Sequence, residues 1–270
     1  MTKIVITGSQ GRVGKALLAL APQFPEIKIV GEIGKGDDLN KVISRCDVVI
    51  DFSSYDATLD FAKICARNRK AMVIGTTGHT KADRTQIHHL KSQIPIVWSS
   101  NYSIGLNKFF ALVRLAAQTL GSEFDVEILE MHRRQKKDAP SGTAKEFFEI
   151  LKKVREEQLE TNVIAQQGRP EGIVDERNPA EIGIHSVRGG GVICDHTVFF
   201  AAPGDMVELK HRVITRETFA RGALAAAVWV AGQNPGLYDM QDVLGLSESH
   251  SHRDDEHHFA PSPEHTLVTH

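Results

Sequence analysis

The first hundred residues alternate between short, nearly continuous apolar runs and longer stretches with helical apolar spacing. The runs at residues 3–7, 27–31, 47–53, 71–75 and 94–98 are rich in Ile and Val and have the length of strands buried on both faces. Between them, Ala16, Leu17, Leu20 and Ala21 mark a helix that stops at Pro22. Residues 56–67 mark another, with Asp56 at its cap position, and a third lies near residues 80–92. This alternation predicts a parallel sheet with helices on both faces, and any ligand then sits beyond the carboxyl ends of the strands. Residues 104–120 form a long amphipathic helix closed by Gly121. After it the pattern changes. Val126, Ile128 and Leu129 alternate as a strand ending at Met131, and Phe147, Phe148, Ile150 and Leu151 follow in a helix running to about residue 157. Residues 159–180 hold Gly168, Pro170, Gly172 and Pro179 without periodicity and read as a long loop. Three strand-like runs, 181–188, 192–201 and 206–213, are separated by Arg188-Gly189-Gly190-Gly191 and Pro203-Gly204, which predicts an antiparallel sheet. Residues 216–232 are again helical.

The fold class is therefore α/β: a Rossmann-type parallel-sheet domain, plus a smaller α+β domain with a mixed or antiparallel sheet. The chemistry at the strand ends agrees. The first run leads into Gly8-Ser9-Gln10-Gly11-Arg12-Val13-Gly14, a G-x-x-G-x-x-G variant of the dinucleotide fingerprint, in which glycines let the backbone approach a pyrophosphate at a helix N-terminus. Three glycines also fit an ordinary turn; the strand before and the helix after them favour a nucleotide. Arg12 faces the phosphates or is a solvated surface arginine, and the residues leave both open. Past the second strand, Glu32, Asp37 and Asp38 surround Lys35, mixing the acid that suits a ribose 2'-hydroxyl with the cation that suits a 2'-phosphate. Thr76 and Thr77 end the fourth run, and Ser99, Ser100, Asn101 and Tyr102 end the fifth. Such residues are also turn formers, but their recurrence at successive strand ends favours a site.

The densest chemistry lies at residues 132–143, where an imidazole (His132), Arg133, Arg134, Lys136 and Lys137 precede Pro140, Ser141, Gly142 and Thr143. Ser141 is placed to cap the following helix, so the N–H groups of Gly142 and Thr143 form an anion site beside the cations. A small anionic molecule suits that corner. His132 at a strand end is placed to carry a proton near neutral pH, and Lys136 is a second proton donor or a carboxylate ligand. Taken alone, His132 fits a structural histidine at a turn somewhat better than a proton carrier, and Lys136 also fits a solvated loop lysine.

Composition narrows this further. A net charge of -2 lacks the basic surface that nucleic acid requires. Cys46, Cys65 and Cys194 have no paired zinc spacing and no disulfide framework, which suits reduced core thiols, and no metal site is read. Met1 leads straight into a strand pattern, without a leader, and no apolar run reaches membrane-spanning length; a soluble cytoplasmic protein is expected. Residues 247–270 carry six of the 13 histidines with few apolar residues and are expected to be disordered.

Glu130-Met131-His132, Lys136 and Asp138-Ala139-Pro140-Ser141-Gly142-Thr143-Ala144 closely resemble the signature of the dihydrodipicolinate reductases of lysine and diaminopimelate biosynthesis. The resemblance runs from about Lys3 to Leu246, and takes in Val73-Ile74-Gly75-Thr76-Thr77-Gly78 and Pro235-Gly236-Leu237-Tyr238-Asp239-Met240. It implies reduction of 4-hydroxy-tetrahydrodipicolinate by NADPH or NADH, with cofactor contacts at Gly75, Thr76, Thr77 and residues 99–102. It also implies a discontinuous dinucleotide-binding domain (1–103 and 216–246), a substrate and oligomerisation domain (104–215) with hinges near Ser103 and Thr215, and a homotetramer. The family's acidic and basic cofactor positions fall at Gly34 and Lys35, so the cation is kept and the acid is missing, which leans towards NADPH. The family's second histidine is here Arg133, whose guanidinium can hold a carboxylate bidentately. A different nicotinamide-dependent reductase of a small dicarboxylate or amino acid would not need the 136–143 segment. A non-catalytic dinucleotide sensor would not need His132 and Lys136.

Overall fold

In the computed structural model, which describes residues 1–246, the apolar runs of the first hundred residues become β1 (Thr2–Thr7), β2 (Ile27–Ile33), β3 (Val48–Asp51), β4 (Ala71–Ile74) and β5 (Pro95–Trp98). They pair in parallel, and β11 (Gly236–Tyr238) adds beside β5, giving the order β11-β5-β4-β3-β1-β2. All four residues of β3 are buried because helices cover both faces of this sheet. α1 (Arg12–Leu20) and α6 (Glu217–Val230) share one core with β1, β3 and β4, while α2 (Tyr55–Arg67) and α3 (Lys81–His89) share the other. The strand order reverses between β1 and β3, which opens the crevice of a doubly wound sheet beyond Thr7 and Asp51.

The chain leaves this sheet through α4 (Ile104–Leu120), whose N-cap Ser103 accepts the Leu106 N–H and whose C-cap is Gly121 at φ +78°. It then builds a second, five-stranded sheet from β6 (Asp125–His132), β7 (Ile164–Gln167), β8 (Glu181–Arg188), β9 (Cys194–Ala202) and β10 (Asp205–Val213). α4 and α5 (Gly142–Leu159) cover one face of it, burying Val126, Ile128, Ile182, Ile184, Val198 and Phe200 against Phe109, Phe110 and Phe147.

The second sheet corrects two expectations. Its order is β10-β9-β6-β8-β7, so β6 separates β8 from β9, and β6 pairs with β8 in parallel. The reason is two successive returns in the same direction: α5 carries the chain from β6 to β7, and residues 168–180 carry it from β7 to β8. Only the β9–β6 and β10–β9 pairs are antiparallel, and the sheet is mixed. Residues 159–180 are likewise not all loop: β7 pairs with β8 at the sheet edge, and its exposure removes the apolar alternation that would have marked it. Smaller differences concern ends. α2 is entered from Ser54, with Asp56 in its first turn, and β2 continues to Ile33, so Glu32 is a strand residue. The closing segment holds β11 and the short α7 (Met240–Val243), and the His-rich tail lies outside the described residues.

The chain crosses between the sheets at two places, and they touch. Thr218 Oγ1 donates to Ser103 Oγ at 3.4 Å, and Asn107 Nδ2 donates to the carbonyls of Asn101 and Ser103. A Cβ placed on Gly222 of α6 would overlap the Tyr102 carbonyl oxygen, a backbone atom that cannot swing aside. Gly222→Ala therefore loses about 2 kcal/mol to overpacking despite alanine's better helix propensity. A lower urea midpoint at unchanged slope checks this, and an unchanged midpoint would refute the close contact.

Candidate active site

β1 runs into α1 through a turn that only glycine can build at two points. Gly8 has φ +71°, and a Cβ there would collide with the Phe52 carbonyl oxygen; one on Gly14 would collide with the Gly8 carbonyl oxygen. The turn is drawn tight against the end of β3, at the reversal of strand order. The N-cap of α1 is Gly11, whose side-chain position offers no capping oxygen, so the first N–H groups of the helix are left for a ligand. A cradle of bare backbone at a helix start fits the pyrophosphate of a dinucleotide. Ser9 is buried, Gln10, Gly11 and Arg12 are exposed, Val13 is half-buried, and the Gln10 amide lies against Gly34. Lys35 is exposed in the loop after β2, where Asp37 Oδ2 accepts the Gly34 N–H at 2.8 Å.

Behind the cradle, Asp51 is buried at the end of β3. It accepts hydroxyl hydrogen bonds from Thr7 (2.5 Å), Ser53 (2.5 Å), Thr58 (2.7 Å) and Thr76 (2.8 Å). One carboxylate thus ties the ends of β1, β3 and β4 to α2. The Thr76 hydroxyl is spent inwards on this bond, as is the Tyr102 hydroxyl, which donates to the Ile74 carbonyl at 2.8 Å. Ser99 and Asn101 are engaged within their own turn, where Ser99 Oγ donates to the Asn101 carbonyl and Asn101 Oδ1 accepts the Ser103 N–H. Thr77 and Ser100 are exposed, and Gly75, half-buried, has the Phe52 ring where a Cβ would stand.

The second cluster follows from strand parity. Along β6 the buried positions are Val126, Ile128, Glu130 and His132, so an acid and an imidazole continue the face that begins as core. On β9, Cys194, His196, Val198 and Phe200 share the same face, and the register sets His196 directly opposite Glu130. Glu130 is wholly buried: one of its oxygens is hydrogen-bonded to His132 Nδ1, and the other accepts from Arg188 Nη2 at 2.7 Å and the Ser141 N–H at 3.3 Å. Burial by itself would raise this carboxyl, but hydrogen bonds from His132, Arg188 and Ser186 outweigh it and bring it down to about 2. The His132 and His196 rings meet edge to face at 5.3 Å. Burial, with His132 beside it, lowers His196 to about 3, so it is a neutral ring at physiological pH. Its Nδ1 faces Cys194 Sγ at 3.3 Å and its Nε2 faces Ser141 Oγ at 3.4 Å.

The cationic loop closes over this face. The Lys136 N–H donates to the Arg133 carbonyl in a turn, and Lys136 Nζ holds Asp138 Oδ2 at 2.9 Å. Burial pushes the Cys194 thiol up to about 12, and the Lys136 charge opposes that shift. Arg133 is half-buried, and Arg134 and Lys137 are exposed. Arg188 fixes the loop from below by donating to the Asp138 carbonyl at 2.6 Å, and the Gly189 N–H donates to the His132 carbonyl at 3.0 Å. Ser141 caps α5 by accepting the Ala144 N–H, and Gly142 and Thr143 begin the helix with N–H groups that have no acceptor one turn earlier. His132, the loop that carries Lys136 and the start of α5 all meet around Glu130 and Arg188.

Glu130, Arg188 and His196 belong to this site, and the sequence reading did not assign them. Glu130 was open to detection: two residues from Ile128 and two from His132, it stands at a core-facing position of an alternating strand. Arg188 and His196 were not, because their approach depends on β8 and β9 pairing with opposite edges of β6.

The comparisons with known proteins cover nearly the same span. Family models described as dihydrodipicolinate reductase, N-terminus, and dihydrodipicolinate reductase, C-terminus, match residues 2–102 and 105–244. A 4-hydroxy-tetrahydrodipicolinate reductase from Akkermansia muciniphila is 46% identical over 248 residues, covering 92% of this chain and 100% of that protein. The protein of the same description from Geobacter sulfurreducens is 41% identical over 268 residues, with 91% and 100% covered. Among solved structures, the dipicolinate-bound dihydrodipicolinate reductase from Paenisporosarcina sp. TG-14 shares the fold at a TM-score of 0.69 and 24% identity, covering 90% of this chain and 98% of that one. With both halves matched in order and relatives above 40% identity along their whole length, the chain belongs to the dihydrodipicolinate reductase family.

Proposed function

We propose that this chain performs its family's reaction, reducing 4-hydroxy-tetrahydrodipicolinate to tetrahydrodipicolinate with loss of water, within lysine and diaminopimelate biosynthesis. The observation that carries the reading is His132, held by a charged, buried Glu130 in the same corner as Lys136 and the capped start of α5. One hydride and one proton enter the substrate, and one water leaves. A nicotinamide cofactor at the glycine cradle supplies the hydride when bound. The chain's own residues do the rest. Arg133, Lys136 and the N–H groups of Gly142 and Thr143, with Ser141 as their cap, bind the two carboxylates, which charge-assisted bonds and a helix start favour. Glu130 occupies His132 Nδ1, which leaves Nε2 to pass a proton to the atom that receives no hydride. Lys136 is the second proton donor. Residues 1–103 with 216–246 act as the dinucleotide domain and residues 104–215 as the substrate domain, closing on each other to bring the reacting carbons into contact. Gly8, Ser9, Gln10, Gly11, Arg12 and Val13 hold the pyrophosphate, and Gly75, Thr76, Thr77, Ser99, Ser100, Asn101 and Tyr102 the nicotinamide side; the inward bonds of Thr76 and Tyr102 confine those two to backbone contact. Lys35 favours the 2'-phosphate of NADPH, with NADH also used. The enzyme works in the cytoplasm as a homotetramer, joined through the sheet face that α4 and α5 leave bare, where Leu129, Met131, Val187, Phe199 and Met206 offer apolar surface.

Absorbance of the reduced nicotinamide, followed with freshly generated substrate, is expected to fall with wild type. His132→Ala should lower kcat by about a hundredfold, the usual loss on removing a general acid. Lys35→Ala should raise KM for NADPH more than for NADH, and silence of the wild type with both cofactors would end this reading. Glu130 adds a pH signature. Its carboxyl lies below the ordinary 4.5, so the stability it contributes is complete above that value and is lost as pH falls towards about 2. The stability difference between wild type and Glu130→Gln should thus be on the order of 3 kcal/mol at neutral pH and vanish across that acid window. A difference independent of pH would show that Glu130 is not the charged partner. In sedimentation, Leu129→Asp should convert a tetramer into smaller species, and an unaltered profile would place the interface elsewhere.

A further inference from the structure

Cys194 takes no part in the reaction described above, yet it stands in the same buried corner as two imidazoles. One ligand atom each from His132, Cys194 and His196 lies within 4.8 Å of the others, and all three residues are buried. The Cys194 Sγ to His196 Nδ1 distance is 3.3 Å. In a tetrahedral zinc site, with Zn–N about 2.0 Å and Zn–S about 2.3 Å, neighbouring donors stand about 3.5 Å apart. Two donors are therefore already at their spacing, and His132 needs only a small approach. The outer contacts match as well. Metal-bound histidines ordinarily have the other ring nitrogen held by an oxygen. Here Glu130 engages His132 Nδ1 and leaves Nε2, while Ser141 Oγ faces His196 Nε2 and leaves Nδ1 towards the sulfur. One thiolate and two imidazoles form a soft, borderline set that selects Zn²⁺ over Mg²⁺ or Ca²⁺.

We infer that His132, Cys194 and His196 form an inhibitory zinc site, in which the metal occupies the nitrogen that would otherwise carry the proton. Binding forms one Zn–S and two Zn–N bonds, releases the thiol proton to solvent, and leaves a fourth position for water. His132 and Cys194 each keep a small part of their surface exposed, whereas His196 has none, so the cluster is open to solvent on the side of the first two. The inhibition rests on the role of His132 proposed above, whereas the metal site itself does not.

The test uses the full-length chain and Co²⁺ as the spectroscopic probe, with Zn²⁺ as the inhibitor. Co²⁺ should produce a thiolate-to-metal charge-transfer band in wild type that is absent in Cys194→Ala. The six histidines beyond residue 246 cannot produce such a band, because that segment contains no cysteine. Cys46 and Cys65 lie in the core of the other sheet, so a band that survives in Cys194→Ala would come from them and would overturn the site. Absence of a band in wild type would overturn it equally. In turnover, Zn²⁺ should inhibit wild type reversibly, with chelator restoring the rate. Cys194→Ala should keep its metal-free rate and need at least about tenfold more Zn²⁺ for the same inhibition. Equal zinc sensitivity of the two proteins would refute the inhibitory role. Should wild type fail to turn over, the charge-transfer band still decides whether the metal site exists, which separates its failure from that of the proposed reaction.

Discussion

Glu130 carries its charge with no exposed surface, and a buried carboxylate is tolerable only when donors replace the water it has lost. The surrounding architecture follows from that demand. Its donors come from three places: the imidazole two residues along β6, the guanidinium at the end of β8 and the Ser141 N–H at the entry to α5. Satisfying one charge therefore positions the imidazole, anchors the cationic loop through Arg188 and sets where the helix begins. Removal of any single donor leaves the others gathered around a charge that is less well compensated, so the corner is held as a unit.

The other sheet uses the same device with neutral partners. Asp51 collects hydroxyls from Thr7, Ser53, Thr58 and Thr76, joining three strand ends to one helix directly beneath the glycine turn. The contrast is chemical. Around Asp51 the donors are uncharged, and the result is a firm floor beneath the glycine turn. Around Glu130 two donors are basic, and the result is a group of cations fixed in place.

How much of this could be read from the chain depended on whether a feature was local. Continuous Ile and Val runs between helical patterns sufficed for the parallel sheet, since burial on both faces leaves a one-dimensional trace in β3 and β4. Ser141 as a cap and Gly121 as a stop were equally local. β7 leaves no such trace because an exposed edge strand carries no apolar alternation, and the order of the second sheet leaves none because runs adjacent in the chain need not be adjacent in the sheet. The resemblance to a family supplied His132 and Lys136 with roles, but not the carboxylate between them and the fold. Glu130 was visible in the alternation of β6, whereas Arg188, more than fifty residues away in the chain, became adjacent only through strand pairing.

The close contact of the two crossings, Ser103 against Thr218 and Gly222 upon the Tyr102 carbonyl, also limits how the molecule can move. Two bodies joined by one strand can tumble about it in three directions, whereas two strands pinned side by side remove most of that freedom. What survives is rotation about an axis through the pinned point. Any change of angle between the two sheets has therefore to turn about that one place in the backbone, where both connections are held together.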